Sequence, residues 1–178
     1  MTYDEIVQRR RNLHIDGYCT LAEVGMEGAW VSPYQISARS VTGPVLLAYH
    51  WLDAPSARLN LPVLKALGYL PEMPFNKVFE IVLAKLRLRR SDLYVTQAFH
   101  LLPASRSGSI RASDLDVCFD AVTKHELAGR RVIALGGAAA NACRRHGYKP
   151  VETCHPSARG RTYEDKANEI SAAIKSFL

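Results

Sequence analysis

Four short apolar runs alternating with helical patterns predict an α/β fold: a single domain built on a four-stranded parallel sheet with helices on both faces. The runs are Val45 to Tyr49, Leu93 to Thr96, Arg131 to Leu135 and Pro150 to Cys154. Size agrees, because 178 residues of which 48% are hydrophobic can bury a core without metals or disulfides. Open parallel sheets bind ligands beyond the carboxyl ends of their strands, so the residues leaving each run are the first candidates for function. These are Tyr49-His50-Trp51, then Gln97 and His100, then Gly136-Gly137, then His155-Pro156-Ser157. All four exits are expected to face one crevice.

The chain opens on Thr2-Tyr3-Asp4-Glu5, a capping-box pattern that predicts a first helix through Leu13. Its Arg9-Arg10-Arg11 run reads as a solvated helix end or a phosphate contact. Residues 16 to 43 are rich in Gly, Ser and Pro with isolated aromatics, and predict an irregular segment wrapped over the core. Residues 1–43 thus form a helix and wrapping segment, and 44–178 the α/β core. Further helices are expected at about 76–90, 113–128, 137–146 and 163–177, with a short one ending near Leu67. Gly136-Gly137 opens the third of these four and lets backbone approach a ligand closely, but it is neither a dinucleotide nor a nucleoside-triphosphate fingerprint. In the last exit, Pro156 fixes the chain after His155 on a rigid turn. Ser157, Arg159 and Arg161 add hydroxyl and guanidinium donors suited to phosphate. A lone His-Pro-Ser is more often a plain surface turn.

The formal net charge of +6 permits a polyanionic partner without requiring one. Cys19, Cys118, Cys143 and Cys154 are scattered, which fits reduced thiols in the cytoplasm. The spacing of Cys143, His146, Cys154 and His155 matches no common zinc pattern, so no metal is expected. Without a signal peptide or a long apolar run, neither export nor membrane insertion is expected.

Over residues 44 to 178 the order of elements and several short motifs resemble the uracil-DNA glycosylase superfamily. Asp92 to Pro103 is similar to its second motif, Val132 to Ala140 to its third strand and helix start, and His155-Pro156-Ser157 to its His-Pro-Ser motif. Pro74-Phe75 resembles the Pro-Phe preceding a helix in its thermophile-type families. The resemblance implies a monomeric enzyme that flips a base out of DNA into the crevice and hydrolyses its glycosidic bond. His155 would then bind the departing pyrimidine at O2 and Phe75 would stack on it, although alone Phe75 reads equally as a core aromatic. Gln97 would contact the base edge, with Tyr49 and His100 also on the substrate. Ser157 and Ser107 would hold phosphates, and Arg159 or Arg161 would enter the gap left by the base.

Departures from the family pattern are informative. Ala48-Tyr49-His50-Trp51-Leu52-Asp53 stands where the uracil-specific enzymes carry Gly-Gln-Asp-Pro-Tyr-His, so His50 falls at the water-activating aspartate and Leu52 at the tyrosine that blocks C5. Either His50 positions water, or Asp53 reaches the sugar from three residues further on, or another carboxylate does. A longer loop between His50 and Phe75 adds chain beside the pocket. Together with Gln97 this implies a modified pyrimidine, such as glucosylated hydroxymethylcytosine in phage DNA, and an antiphage role. Leu101 occupies the place of a cluster-binding cysteine, so no iron–sulfur cluster and no other cofactor is expected. No lysine lies in the motifs, which favours a monofunctional hydrolase over a lyase. Uracil excision, a catalytically silent DNA-binding relative, and an α/β enzyme on small nucleosides or sugars are the competing readings.

Overall fold

The four apolar runs form one all-parallel sheet in a computed structural model that describes residues 1–178. Strands β1 (Val45–His50), β2 (Tyr94–Phe99), β3 (Val132–Leu135) and β4 (Val151–Thr153) lie in the order β2-β1-β3-β4. Leu46 pairs with Val95 on one side and Ile133 on the other, which makes β1 a fully enclosed strand. Its residues Val45 to Ala48 are all buried, as a strand covered on both faces must be.

Alternation along the strands divides the core in two. Leu46, Ala48, Ile133 and Leu135 face one layer, where α4 (Pro74–Leu86) and α8 (Tyr163–Lys175) supply Phe75, Phe79, Val82, Ile170 and Ile174. Val45, Leu47, Val132 and Ala134 face the other. There α1 (Tyr3–Arg11), α5 (Ala112–Cys118) and α7 (Gly137–Arg145) supply Ile6, Val7, Leu115, Ala139 and Ala140. Each fully buried Leu, Ile or Phe in these layers contributes ~1.5–3 kcal/mol. A π-helical turn, Phe119–Thr123, joins α5 to the short α6 (Lys124–Leu127), so the single helix expected at 113–128 is interrupted. The loop after β1 likewise holds two helices, α2 (Ala54–Leu59) and α3 (Leu61–Leu67), because Asn60 leaves the helical region and Pro62 restarts it.

The capping box of α1 forms as expected, with Thr2 Oγ1 accepting from the Glu5 amide and Glu5 Oε2 accepting from the Thr2 amide. The arginine run does not behave as a solvated end. Arg10 is 4% exposed and donates to Glu27, Gly28 O and Trp30 O, while Arg11 donates to Glu27 and Gly28 O. Both side chains therefore hold the wrapping segment, and only Arg9 remains free of a side-chain partner.

That segment is tied to the sheet at a second point. Glu126, fully buried, accepts from Gln35 Nε2 at 2.7 Å, Tyr94 Oη at 2.6 Å and Thr96 Oγ1 at 2.8 Å. Burial pushes its carboxyl up to about 7 from an ordinary 4.5, against the pull of those three donors. A carboxyl that binds its proton more tightly folded than unfolded contributes stability in full below its unfolded pKa. That contribution is lost as pH rises through the folded value. The melting temperature of the wild type relative to Glu126→Gln should therefore fall by a few degrees between pH 5 and pH 8. Thermal melts across that range check it, and a pH-independent difference between the two proteins would contradict the assignment.

Candidate functional site

The connection after β1 runs to one side of the sheet and that after β3 to the other, so the chain parts at the carboxyl ends of the two central strands. A crevice of about 320 Å³ opens there. Tyr49, His50, Trp51 and Leu52 leave β1 into it, and Leu135, Gly136, Gly137 and Ala138 leave β3. His155 and Ser157 enter from β4, and Phe75 from the start of α4.

His155 is held by three local contacts. Its carbonyl accepts from the Ala158 amide at 2.8 Å, closing the turn that Pro156 begins. Its Nδ1 accepts from the Ser157 amide at 3.0 Å, which puts the proton of a neutral imidazole on Nε2 and makes that atom a donor. Its Cβ lies against Gly136, where an added Cβ would sit 2.9 Å away, and Gly136 has a φ of 104° that only glycine adopts freely. Burial, then the charges of His50 and Lys166, hold the imidazole below the ordinary histidine range. His155 thus stands neutral at pH 7 on the wall of the crevice.

His50 is the second histidine of the crevice. Burial lowers its pKa as well, opposed by backbone hydrogen bonds and the charge of Asp53. Its Nδ1 is buried without a hydrogen-bond partner in the chain. Asp53 itself does not line the crevice: it is 6% exposed and sits at the start of α2, where its carbonyl accepts from Ala57. No carboxylate lines the crevice wall.

The other expected residues divide. Phe75 reaches the crevice but is 5% exposed, stacked against Tyr34 and Phe79 with its edge region toward His155 at 5.8 Å between ring centroids. Gln97 and His100 do not reach it, because β2 is the edge strand beyond β1 and the wrapping segment covers its end. Gln97 Oε1 instead accepts from Ser32 Oγ. His100 lies on the opposite face with Thr123 and Glu126, its pKa lowered by burial to about 3. Three strand exits, rather than four, therefore share the crevice. Arg161 is paired with Glu169 at 2.5 Å, leaving Arg159 exposed and without a partner. Ser107 lies on the exposed loop that follows β2, outside the crevice. Cys143, His146, Cys154 and His155 are not drawn into one cluster.

Several lining residues carried no signal in the sequence. Tyr34 comes from the wrapping segment, so that segment covers the crevice as well as the core. Tyr69, Leu70 and Met73 come from the long loop after β1, and Asn76 fastens that loop by donating to Leu70 O at 2.8 Å. The run of Tyr and Leu before Pro74 was the available clue, though apolar loop residues ordinarily read as core. No helix is long and apolar enough to cross a membrane. No protein-family model matches the chain, and no curated protein matches it.

Gly136→Ala should place a methyl group against His155 in a backbone conformation that costs ~1–3 kcal/mol for a residue with a side chain. The expected result is a lower melting temperature together with a displaced imidazole resonance for His155. Retention of both wild-type values would show that the close approach carries no weight.

Proposed function

We propose that the protein is a monofunctional DNA glycosylase that hydrolyses the N-glycosidic bond of a flipped pyrimidine and leaves an abasic site. The observation that carries this reading is His155, which stands on the wall of a crevice beside aromatic rings and the start of α7, with Nδ1 accepting from the Ser157 amide so that a neutral ring carries its proton at Nε2. Bond cleavage sends the C1′–N1 electron pair to the base, and a preorganised donor at the pyrimidine O2 stabilises the anion so formed. Water then bonds to C1′ and must give up a proton. His50 is suited to take it, being neutral and on the crevice wall. Asp53 acts behind it, its negative charge favouring the imidazolium that results. The resemblance of the His-Pro-Ser turn and its companions to the uracil-DNA glycosylase superfamily supports the same reading.

The substrate we favour is a pyrimidine enlarged at C5, such as glucosylated hydroxymethylcytosine, with an antiphage role. Leu52 stands where the uracil-specific family carries its blocking tyrosine, and Tyr69, Leu70 and Met73 line extra space from the added loop. A crevice of about 320 Å³ has room for roughly ten water-sized groups, more than uracil occupies. The lack of a carboxylate on the wall favours a second reading, a relative that binds DNA without cleaving it.

Base release from DNAs carrying uracil, hydroxymethylcytosine or its glucosylated form separates these readings. The expected result is cleavage of the glucosylated DNA, lowered on the order of a hundredfold in His155→Ala with DNA affinity retained. Binding without release from any substrate would favour the silent relative, and full activity in the variant would remove His155 from the chemistry. Replacing the unpaired Arg159 with Ala should also reduce the salt dependence of DNA binding by about one released counterion. An unchanged slope, measured by titration at several salt concentrations, would locate the phosphate contacts elsewhere.

A further inference from the structure

The segment that carries His155 rests on α8, and one residue of that helix is chemically out of place. Lys166 is 2% exposed, yet no carboxylate pairs with its ammonium group. Lysine is almost never buried this far without a partner charge, because desolvating an ammonium is expensive. Its Nζ donates to Ala158 O at 3.1 Å, and the same group lies 4.8 Å from the ring centre of Tyr163. The acceptor matters, since Ala158 is the residue whose amide closes the turn on His155 O. Lys166 therefore reaches the far end of the turn whose near end is the candidate functional histidine.

We propose that Lys166 is the positioning residue for His155, fixing the turn through Ala158 O and bringing a buried positive charge to that turn. This rests on the functional reading above only for its catalytic consequence. The remaining contacts of the segment are complementary. Glu169, one turn further along α8, accepts from the Cys154 amide and from Arg161. That carboxylate is spent on either side of the turn and forms no ion pair with Lys166. The charged and titratable groups around the imidazole are His50 from β1, Lys166 from α8, and Glu152 and Glu169 at the outer side of the segment, with Arg161 on Glu169. Phe75 from α4 adds an apolar edge. The ammonium of Lys166, and His50 whenever it is protonated, act against protonation of His155, in the same direction as its burial.

A neutral imidazole donates to a departing anion from Nε2 only in the tautomer that carries the proton there, and both the tautomer and the charge state depend on this turn. If the turn shifts, the Ser157 amide leaves Nδ1 and the tautomer is no longer fixed. If the charge is removed, the imidazole protonates more readily as pH falls.

The test separates tether from charge. Lys166→Gln keeps a donor for Ala158 O and loses the charge, whereas Lys166→Met loses both. Nitrogen-15 NMR titration of the imidazoles, assigned through His155→Ala, reads the outcome whether or not any DNA is cleaved. In the wild type, His155 should titrate below the ordinary histidine range as the Nε2–H tautomer. The midpoint should move up in Lys166→Gln with the tautomer kept, and in Lys166→Met the tautomer should become mixed. Should base release be observed, the acid limb of its pH profile should move up with the same midpoint in Lys166→Gln. An unmoved midpoint in Lys166→Gln would overturn the charge role. If neither variant folds, an Nδ1–H tautomer or an ordinary midpoint in the wild type would overturn the proposal by itself. Loss of base release on every substrate with the NMR pattern intact would count against the glycosylase reading alone.

Discussion

The enclosure of β1 is the constraint on which the other features depend. With β2 on one edge and β3 on the other, its backbone polar groups are spent on neighbours, and its side chains must be apolar on both faces. Polarity can return only where the strand ends, at Tyr49 and His50. Because the chain departs in opposite directions after β1 and β3, no helix closes over that point, and a crevice remains between the two exits. The burial that stabilises the centre of the sheet thus fixes where chemistry is available.

The same geometry explains which expectations from sequence held. The four strands, their parallel arrangement and helices on both faces follow from apolar runs alternating with helical patterns, and those are local features. Strand order is not local. Nothing in Leu93 to Thr96 distinguishes an edge strand from a central one, so Gln97 and His100 were expected at the crevice and instead lie under Ser32 and beside Glu126. The buried charges were hidden for a related reason. Arg10, Glu126 and Lys166 each look like ordinary surface residues of a helix, since their partners lie outside that helix, at Trp30, at Tyr94 or on the His155 turn.

The wrapping segment shows how irregular chain can be specified without periodicity. It has no regular element beyond one 3₁₀ turn at Pro33–Ile36, yet Arg10 holds it at Trp30, Ser32 meets Gln97, and Gln35 donates to Glu126. Each anchor is a buried hydrogen bond whose loss would leave a polar group unpaired, which costs more than the bond gains when made. Tyr34 sits between two of these anchors and is thereby held on the crevice wall against Phe75. Polar contacts beneath the segment place an aromatic ring at the site.

Within the crevice, two histidines and a buried lysine set an electrostatic problem with a limited set of solutions. His50 and Lys166 each oppose a charge on His155, and burial opposes a charge on either histidine. In the resting site both imidazoles are therefore neutral, and there is no carboxylate on the wall to offset a cation. The proposed hydrolysis creates charge of both signs: an anion on the base near His155 and, once water has lost its proton, a cation at His50. The two appear within the same small cavity, where a low dielectric strengthens their attraction. A site that penalises any single charge but accommodates a separated pair favours the charge distribution of the reaction over that of the resting state, which is the condition for catalysis.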